Sequence, residues 1–216
     1  MSDYDQFPFE LSEFQKKSIN AIKNGDHSLV TAHTGSGKTV PAEFAINYFH
    51  KLGKKIIYTT PIKALSNQKL YDMRLKFPHI DFGILTGDSK DNPGADVLIM
   101  TTEILRNTLF NKCILNQGEQ KNIPLHFDMD IENDLALVVF DEVHYIADEG
   151  RGEVWEQSIL LLPPKVQLLM LSATIHKPED FAMWVETEKN KQGGDKRVIL
   201  SSTNERVVPL THYGWI

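Results

Sequence analysis

An apolar run, Ser28–Ala32, meets a turn of small residues, His33–Thr34–Gly35–Ser36–Gly37, and ends in Lys38–Thr39. No other stretch constrains the chain as much. Glycines let successive backbone N–H groups turn inward around phosphate oxygens, a lysine ammonium meets the β/γ-phosphates, and the Thr39 hydroxyl can ligate Mg²⁺. Residues Val40–His50 follow with apolar side chains at helical spacing and with Pro41 in the first turn, where a missing N–H costs nothing. A loop that opens a helix also sets the positive end of the helix dipole against an anion. The general pattern begins on glycine where this chain has Ala32, and a small side chain still fits there. Residues Ala32–Thr39 are therefore read as a phosphate-binding loop, with a nucleoside triphosphate and Mg²⁺ as its ligands.

A chain of 216 residues that is 41% hydrophobic can bury one sizeable core. Its single cysteine, Cys113, excludes an internal disulfide or a cysteine-based metal site and suits a reducing compartment. No apolar run is long enough to cross a bilayer, and Met1–Asp5 is acidic. The expectation is a soluble, intracellular protein with no membrane partner, in cytoplasm or nucleus. The formal net charge of −6 gives no general attraction for nucleic acid. Any such binding must come from a local groove of positioned donors.

Short apolar runs recur at Lys55–Thr60, Phe82–Thr86, Val97–Thr101, Ala136–Phe140, Gln167–Ser172 and Val198–Ser201. Helix-like segments fall at Ser12–Lys23, Lys63–Lys76, Glu103–Phe110, Val154–Leu161 and Pro178–Glu186. This alternation predicts an α/β domain with a mainly parallel sheet of about seven strands, helices on both faces, and a ligand site beyond the carboxyl ends of the strands. Two segments break the rhythm. Asn111–Asp134, with Asp128, Asp130, Glu132 and Asp134, reads as a solvated acidic excursion rather than a metal site, and Thr187–Lys196 as a charged connector.

The run Ala136–Phe140 delivers Asp141–Glu142–Val143–His144 to the same sheet edge as the loop. Asp141 would hold Mg²⁺ together with Thr39, and Glu142 would orient or deprotonate the water that attacks the γ-phosphate. An Asp that merely caps a helix explains the pair alone, but not the pair beside Gly37–Lys38–Thr39. Lys38, Asp141 and Glu142 are thus the candidate catalytic residues. A third apolar run ends in Ser172–Ala173–Thr174, whose hydroxyls could bond to His144 or Asp141 and report the nucleotide state.

With these strings in place the chain resembles the first RecA-like domain of superfamily 2 helicases, and specifically the Ski2-like (Ski2/Mtr4-type) DEVH-box RNA helicases. The most specific runs are Pro61–Ile62–Lys63–Ala64–Leu65–Ser66–Asn67–Gln68–Lys69 and Arg151–Gly152–Glu153–Val154–Trp155–Glu156; Leu85–Thr86–Gly87–Asp88 and Met100–Arg106 are shared more widely. The resemblance covers nearly the whole chain. It implies a RecA-like P-loop NTPase fold and ATP as the nucleotide. Gln15 and Phe9, in Phe9–Gln15, would read and stack on adenine, since an amide can pair with the N7/N6 edge. It also implies that Pro61, Lys63, Gly87, Thr101 and Thr102 line a track for single-stranded nucleic acid, with Thr102 capping the helix that starts at Glu103.

By the same resemblance, residues 1–203 form the ATP-binding domain and 204–216 begin a connector, Asn204–Tyr213, toward a second RecA-like domain supplied in cis or in trans. That domain would bring arginine fingers, which in related enzymes contribute on the order of a thousandfold to hydrolysis. The isolated chain is then expected to bind ATP, hydrolyse it slowly and not unwind. The acidic excursion exceeds the length expected in cellular members and would suit a divergent lineage, a viral one included. A DNA translocase, and an ATP-gated binding module completed by a partner chain, stand as alternatives, because a backbone-reading groove does not reveal the sugar.

Overall fold

The computed structural model describes Tyr4 and residues 7–116 and 129–203, and of 114–116 the backbone alone. The elements run α1 (Glu13–Asn24), β1 (His27–Ala32), α2 (Val40–Lys51), β2 (Lys55–Thr60), α3 (Lys63–Lys76), β3 (Phe82–Leu85), β4 (Lys90–Asp91), β5 (Val97–Thr101), α4 (Thr102–Asn116), β6 (Leu135–Phe140), a 3₁₀ turn (Val143–Ala147), α5 (Gly152–Leu161), β7 (Gln167–Ser172), α6 (Pro178–Lys191) and β8 (Val198–Thr203). One eight-stranded sheet has the order β4-β3-β5-β2-β6-β7-β1-β8. Neighbouring strands are parallel except β3 and β4.

Strands buried on both faces must be apolar at successive positions, and here alternate residues feed two cores. Val30, Ile56, Val139 and Leu169 point to the face covered by α1, α2 and α3, against Phe14, Ile22, Phe44 and Met73. Leu29, Ile57, Val138, Leu168 and Met170 point to the other, against Leu105, Leu109, Trp155, Ile159 and Val185 of α4, α5 and α6. Each such side chain fully removed from water contributes about 1.5–3 kcal/mol. The β1–β6 ends that matter for function are therefore fixed by the most deeply buried part of the molecule.

The expected mainly parallel sheet of about seven strands has eight, the exposed pair Lys90–Asp91 adding an antiparallel edge strand with no apolar signature. Three expectations need correction. The helix expected to end at Phe110 continues to Asn116, so the acidic excursion starts later than its polar composition suggests. Its far end is anchored: Met129 and Ile131 are buried in the second core, Asp130 accepts from the backbone N–H groups of Glu132 and Asn133, and Glu132 pairs with Lys165. Asp128, in 117–128, lies outside the described residues, and among the described residues no group of three or more His, Cys, Asp or Glu is placed to hold a metal ion.

The expected connector Thr187–Lys196 is helical as far as Lys191. Lys189 is the reason: it is fully buried, and its Nζ donates to the Leu162 carbonyl at the end of α5 (2.6 Å) and to Gln192 Oε1 (3.1 Å). Thr102 is the third correction. It begins α4 instead of capping it, and its hydroxyl donates across to the Thr60 carbonyl (3.4 Å). The connector Asn204–Tyr213 lies outside the described residues. Among the described residues no helix is long and apolar enough to cross a membrane.

Candidate ATP site and nucleic-acid groove

The loop after β1 turns twice through the left-handed region, at Gly35 (φ 84°) and Gly37 (φ 83°). The left-handed dihedral at Gly37 demands glycine, and a side chain there would also stand 2.6 Å from Gln15 Nε2 and push it off the loop. Gln15 is itself buried. Its Oε1 accepts from the Ser12 backbone N–H (2.9 Å), and its Nε2 donates to the Gly37 carbonyl (3.1 Å). Gln15 thus braces the loop from α1 while each half of its amide keeps one further hydrogen-bonding position. Ser36 turns back onto the His33 carbonyl, through its Oγ (2.6 Å) and its backbone N–H (3.2 Å). Ala32 is buried in the first core.

A cleft of about 500 Å³ lies against this loop, lined by Thr34, Gly35, Gly37, Lys38, Thr39, Asp141 and Glu142, and on its far wall by Leu65, Gln68, Lys69 and Asp72 of α3. Ala32, His33, Ser36 and Gln15 stand behind the lining, and Phe9 stands apart from it, half-exposed and 5.7 Å from the ring of Phe7. Lys38, almost wholly buried, donates to both oxygens of Glu142, at 2.9 and 2.8 Å. Asp141 is held from three sides. Tyr58 of β2 donates its hydroxyl to Oδ2 (2.7 Å), Lys69 Nζ lies 3.5 Å from the same oxygen, and the Glu142 backbone N–H donates to Oδ1 (3.0 Å).

Tyr58 is fully buried; burial first, and the Asp141 carboxylate second, push its phenol well above the ordinary value, so it stays a proton donor. Glu142 adopts φ 52°, ψ 47°, a left-handed backbone that a non-glycine residue holds at a cost of about 1–3 kcal/mol. That twist aims its carboxylate at Lys38 instead of letting it follow the strand.

Sequence reasoning missed Tyr58 and Lys69. Tyr58 reads as a plain strand residue, and only the register that sets β2 beside β6 brings it to Asp141. The coupling residues are only partly brought together. His144 Nδ1 is 3.4 Å from Glu142 Oε2, within ion-pair reach, yet it has no hydrogen-bond partner. Ser172 Oγ is also buried and unbonded, and Thr174 is exposed. The expected bonds from Ser172 to His144 or Asp141 are not formed: Asp141 is taken by Tyr58, Lys69 and the Glu142 N–H.

A second cavity, of about 460 Å³, opens on the other side of the α3 N-terminus, lined by Pro61, Lys63, Gly87, Thr101, Asn107 and Arg151 among others. It gathers four of the five expected nucleic-acid residues. Thr102 is buried behind it. Lys63 forms an ion pair with Asp88.

The DEAD/DEAH box helicase family profile matches residues 12–181. The chain belongs to that family. It is 43% identical over 209 residues to the antiviral helicase SKI2 of Saccharomyces cerevisiae and 44% over 208 residues to superkiller complex protein 2 of Homo sapiens, covering 97% and 96% of this chain and 15% of each relative. It is 41% identical over 214 residues to the probable helicase HelY of Mycobacterium tuberculosis, covering 97% of this chain and 21% of that protein. The likeness places it with the Ski2-like superfamily 2 helicases as a first RecA-like domain. The chain spans about a seventh to a fifth of the length of these curated relatives. The crystal structure of the DUF1998 helicase MrfA bound to DNA shares the fold, with a TM-score of 0.67 at 17% identity over 92% of this chain and 28% of that one.

Proposed function

We propose that this chain is the ATP-binding and ATP-hydrolysing half of an ATP-dependent RNA helicase that couples Mg-ATP turnover to single-stranded RNA. One observation carries the reading: Lys38, Thr39, Asp141 and Glu142 line a single cleft although the loop and the Asp-Glu pair are about a hundred residues apart in sequence. The donor set suits the ligands. Two glycines with left-handed backbones open the loop for phosphate, and Thr39 and Asp141 offer the one or two oxygen ligands that Mg²⁺ takes from protein when phosphates and waters supply the rest. Bound there, Mg²⁺ would neutralise charge developing on the phosphates.

Each side chain has a distinct task. Lys38 exchanges its bond to Glu142 for the phosphate oxygens, which frees Glu142 to accept a hydrogen bond from the attacking water at its carboxylate. Tyr58 and Lys69 occupy Asp141 Oδ2 and so fix the face that Asp141 turns to the metal. Gln15, braced on Gly37, couples adenine recognition with Phe9 to the loop conformation. Residues 1–203 would make up this domain, and 204–216 would lead to a second RecA-like domain in cis or in trans. Pro61, Lys63, Gly87 and Thr101 would meet the nucleic-acid backbone in the second cavity. A relative 42% identical over 207 residues, from Arabidopsis thaliana, bears the name DExH-box ATP-dependent RNA helicase DExH11, which supports RNA as the strand.

The test is ATP hydrolysis by the chain with and without single-stranded RNA, with Glu142→Gln as the control for contaminating activity, followed by competition between RNA and DNA oligonucleotides of matched sequence. Slow, Glu142-dependent turnover and preference for RNA support the reading. Preference for DNA would make the chain a DNA translocase domain, and loss of nucleotide binding altogether would defeat both.

A further inference from the structure

The run Arg151–Gly152–Glu153–Val154–Trp155–Glu156 has no part in the ATP cleft, yet it grips the 3₁₀ turn that follows the Asp-Glu pair. A Cβ on Gly152 would lie 2.0 Å from the Ile146 carbonyl oxygen and 2.8 Å from its carbon, so α5 is seated directly on the turn and only glycine allows it. Trp155 stacks on Tyr145 of the turn, rings 5.8 Å apart and 15° from parallel. The Arg151 guanidinium lies 5.2 Å from the centre of the same Tyr145 ring. Tyr145 in turn contacts the His144 ring at 5.0 Å, and His144 Nδ1 faces Glu142 Oε2 at 3.4 Å. A continuous chain of contacts thus runs from Arg151 to the carboxylate that holds Lys38.

Arg151 also lines the groove that contains Lys63 and Gly87. Of the two cations in that lining, Lys63 is taken by Asp88, whereas Asp148 engages only the Nη2 end of Arg151 (2.8 Å). A guanidinium has five N–H donors in a planar fork suited to phosphate, and the Tyr145 ring beside it and Asp148 at Nη2 hold the Arg151 head at the groove.

Resting on the reading of this cavity as a nucleic-acid groove, we propose that Arg151 binds a phosphate of the single strand and that Tyr145 and His144 relay its engagement to Glu142. Tyr145 and His144 are positioning residues; the strained backbone of Glu142 is the element that the relay biases. By linkage, a nucleotide that pulls Lys38 off Glu142 must change strand affinity by the same factor that the strand changes nucleotide affinity.

The probe is a fluorescein-labelled oligouridylate, titrated with the 216-residue chain at several KCl concentrations, with and without Mg-AMP-PNP. Arg151→Gln should weaken binding about tenfold at low salt and lower the slope of log K against log[salt] by about 0.7, one phosphate contact on a single strand. Arg151→Lys and Tyr145→Leu, each checked for retained folding by circular dichroism, should keep the salt slope but bring the ratio of affinities with and without nucleotide toward one. Unchanged affinity and slope in Arg151→Gln would overturn the phosphate contact, while a wild-type affinity indifferent to nucleotide, or a ratio preserved in Tyr145→Leu, would overturn the relay. Failure of the wild type to bind the oligonucleotide under any condition would instead overturn the nucleic-acid reading of the groove on which the proposal stands.

Discussion

Lys38 donates to both carboxylate oxygens of Glu142, at 2.9 and 2.8 Å, across a separation of 104 residues. The loop lysine and the glutamate of the Asp-Glu pair therefore neutralise each other. A lysine already satisfied must give up those bonds to reach phosphate, so the pair opposes nucleotide binding while it keeps a mostly buried cation from standing alone.

Removing the charge of Glu142 should therefore act in opposite directions on binding and on chemistry. In Glu142→Gln, affinity for Mg-AMP-PNP should rise about two- to tenfold as Lys38 is released, whereas ATP turnover should fall by about 10²–10⁴ with the loss of the base. Equilibrium titration and single-turnover hydrolysis on the same preparation check both. A variant that loses binding and turnover together would contradict the exchange of partners by Lys38.

Tyr58→Phe tests the support of Asp141. Without the phenol, Oδ2 loses its buried 2.7 Å hydrogen bond and keeps only Lys69 Nζ at 3.5 Å. The Mg²⁺ concentration at half-maximal nucleotide binding should increase about 10- to 100-fold, with little change in metal-free binding. A shift of equal size in the absence of Mg²⁺ would show a general disturbance of the cleft instead.

Much of this architecture is legible from residue order alone. Ala42, Ala45, Ile46 and Phe49 of α2, or the unbroken apolar run Leu168–Leu171 of β7, announce helix and buried strand through patterns that packing enforces. The phosphate loop and the Asp-Glu pair sit at the ends of parallel strands because crossover helices carry the chain back each time. What escapes is long-range or polar. Lys90–Asp91 becomes a strand only because β3 offers it an edge, Lys189 sits in a helix that composition marks as a connector, and Tyr58 meets Asp141 only through strand register. The twist at Glu142 has no signature, since strain is supplied by the surrounding fold rather than by the residue.

Lys189 gives a pH dependence of defined sign. Burial lowers its pKa from 10.5 to about 8. Between those values the unfolded chain binds more protons than the folded one, so this residue makes stability rise with pH from about 8 to 10.5 and contributes no slope below. The full span is about 3 kcal/mol. The stability of wild type minus that of Lys189→Met, from urea titrations between pH 7 and 10.5, should rise with pH above about 8. A constant difference would contradict a buried, charged Lys189.

His27 acts at the other end of the scale. Burial first, then nearby Lys196, lowers its pKa to about 3, and its Nδ1 accepts a hydrogen bond from the Leu168 backbone N–H at 3.0 Å. Because the unfolded chain takes up this proton near the ordinary 6.5, stability due to His27 falls as pH drops from about 6.5 toward 3. A His27→Gln variant should flatten that part of the acid limb in urea titrations, and an unaltered limb would count against it.

The cleft between β1 and β6 is the proposed site of Mg-ATP, and binding of a fluorescent ATP analogue to Lys38→Ala measures that most directly. Loss of two charge-assisted phosphate contacts, each about 1.5–3 kcal/mol, predicts a fall in affinity of at least about 100-fold in a chain that remains folded. Wild-type affinity in folded Lys38→Ala would place the nucleotide elsewhere and contradict the site.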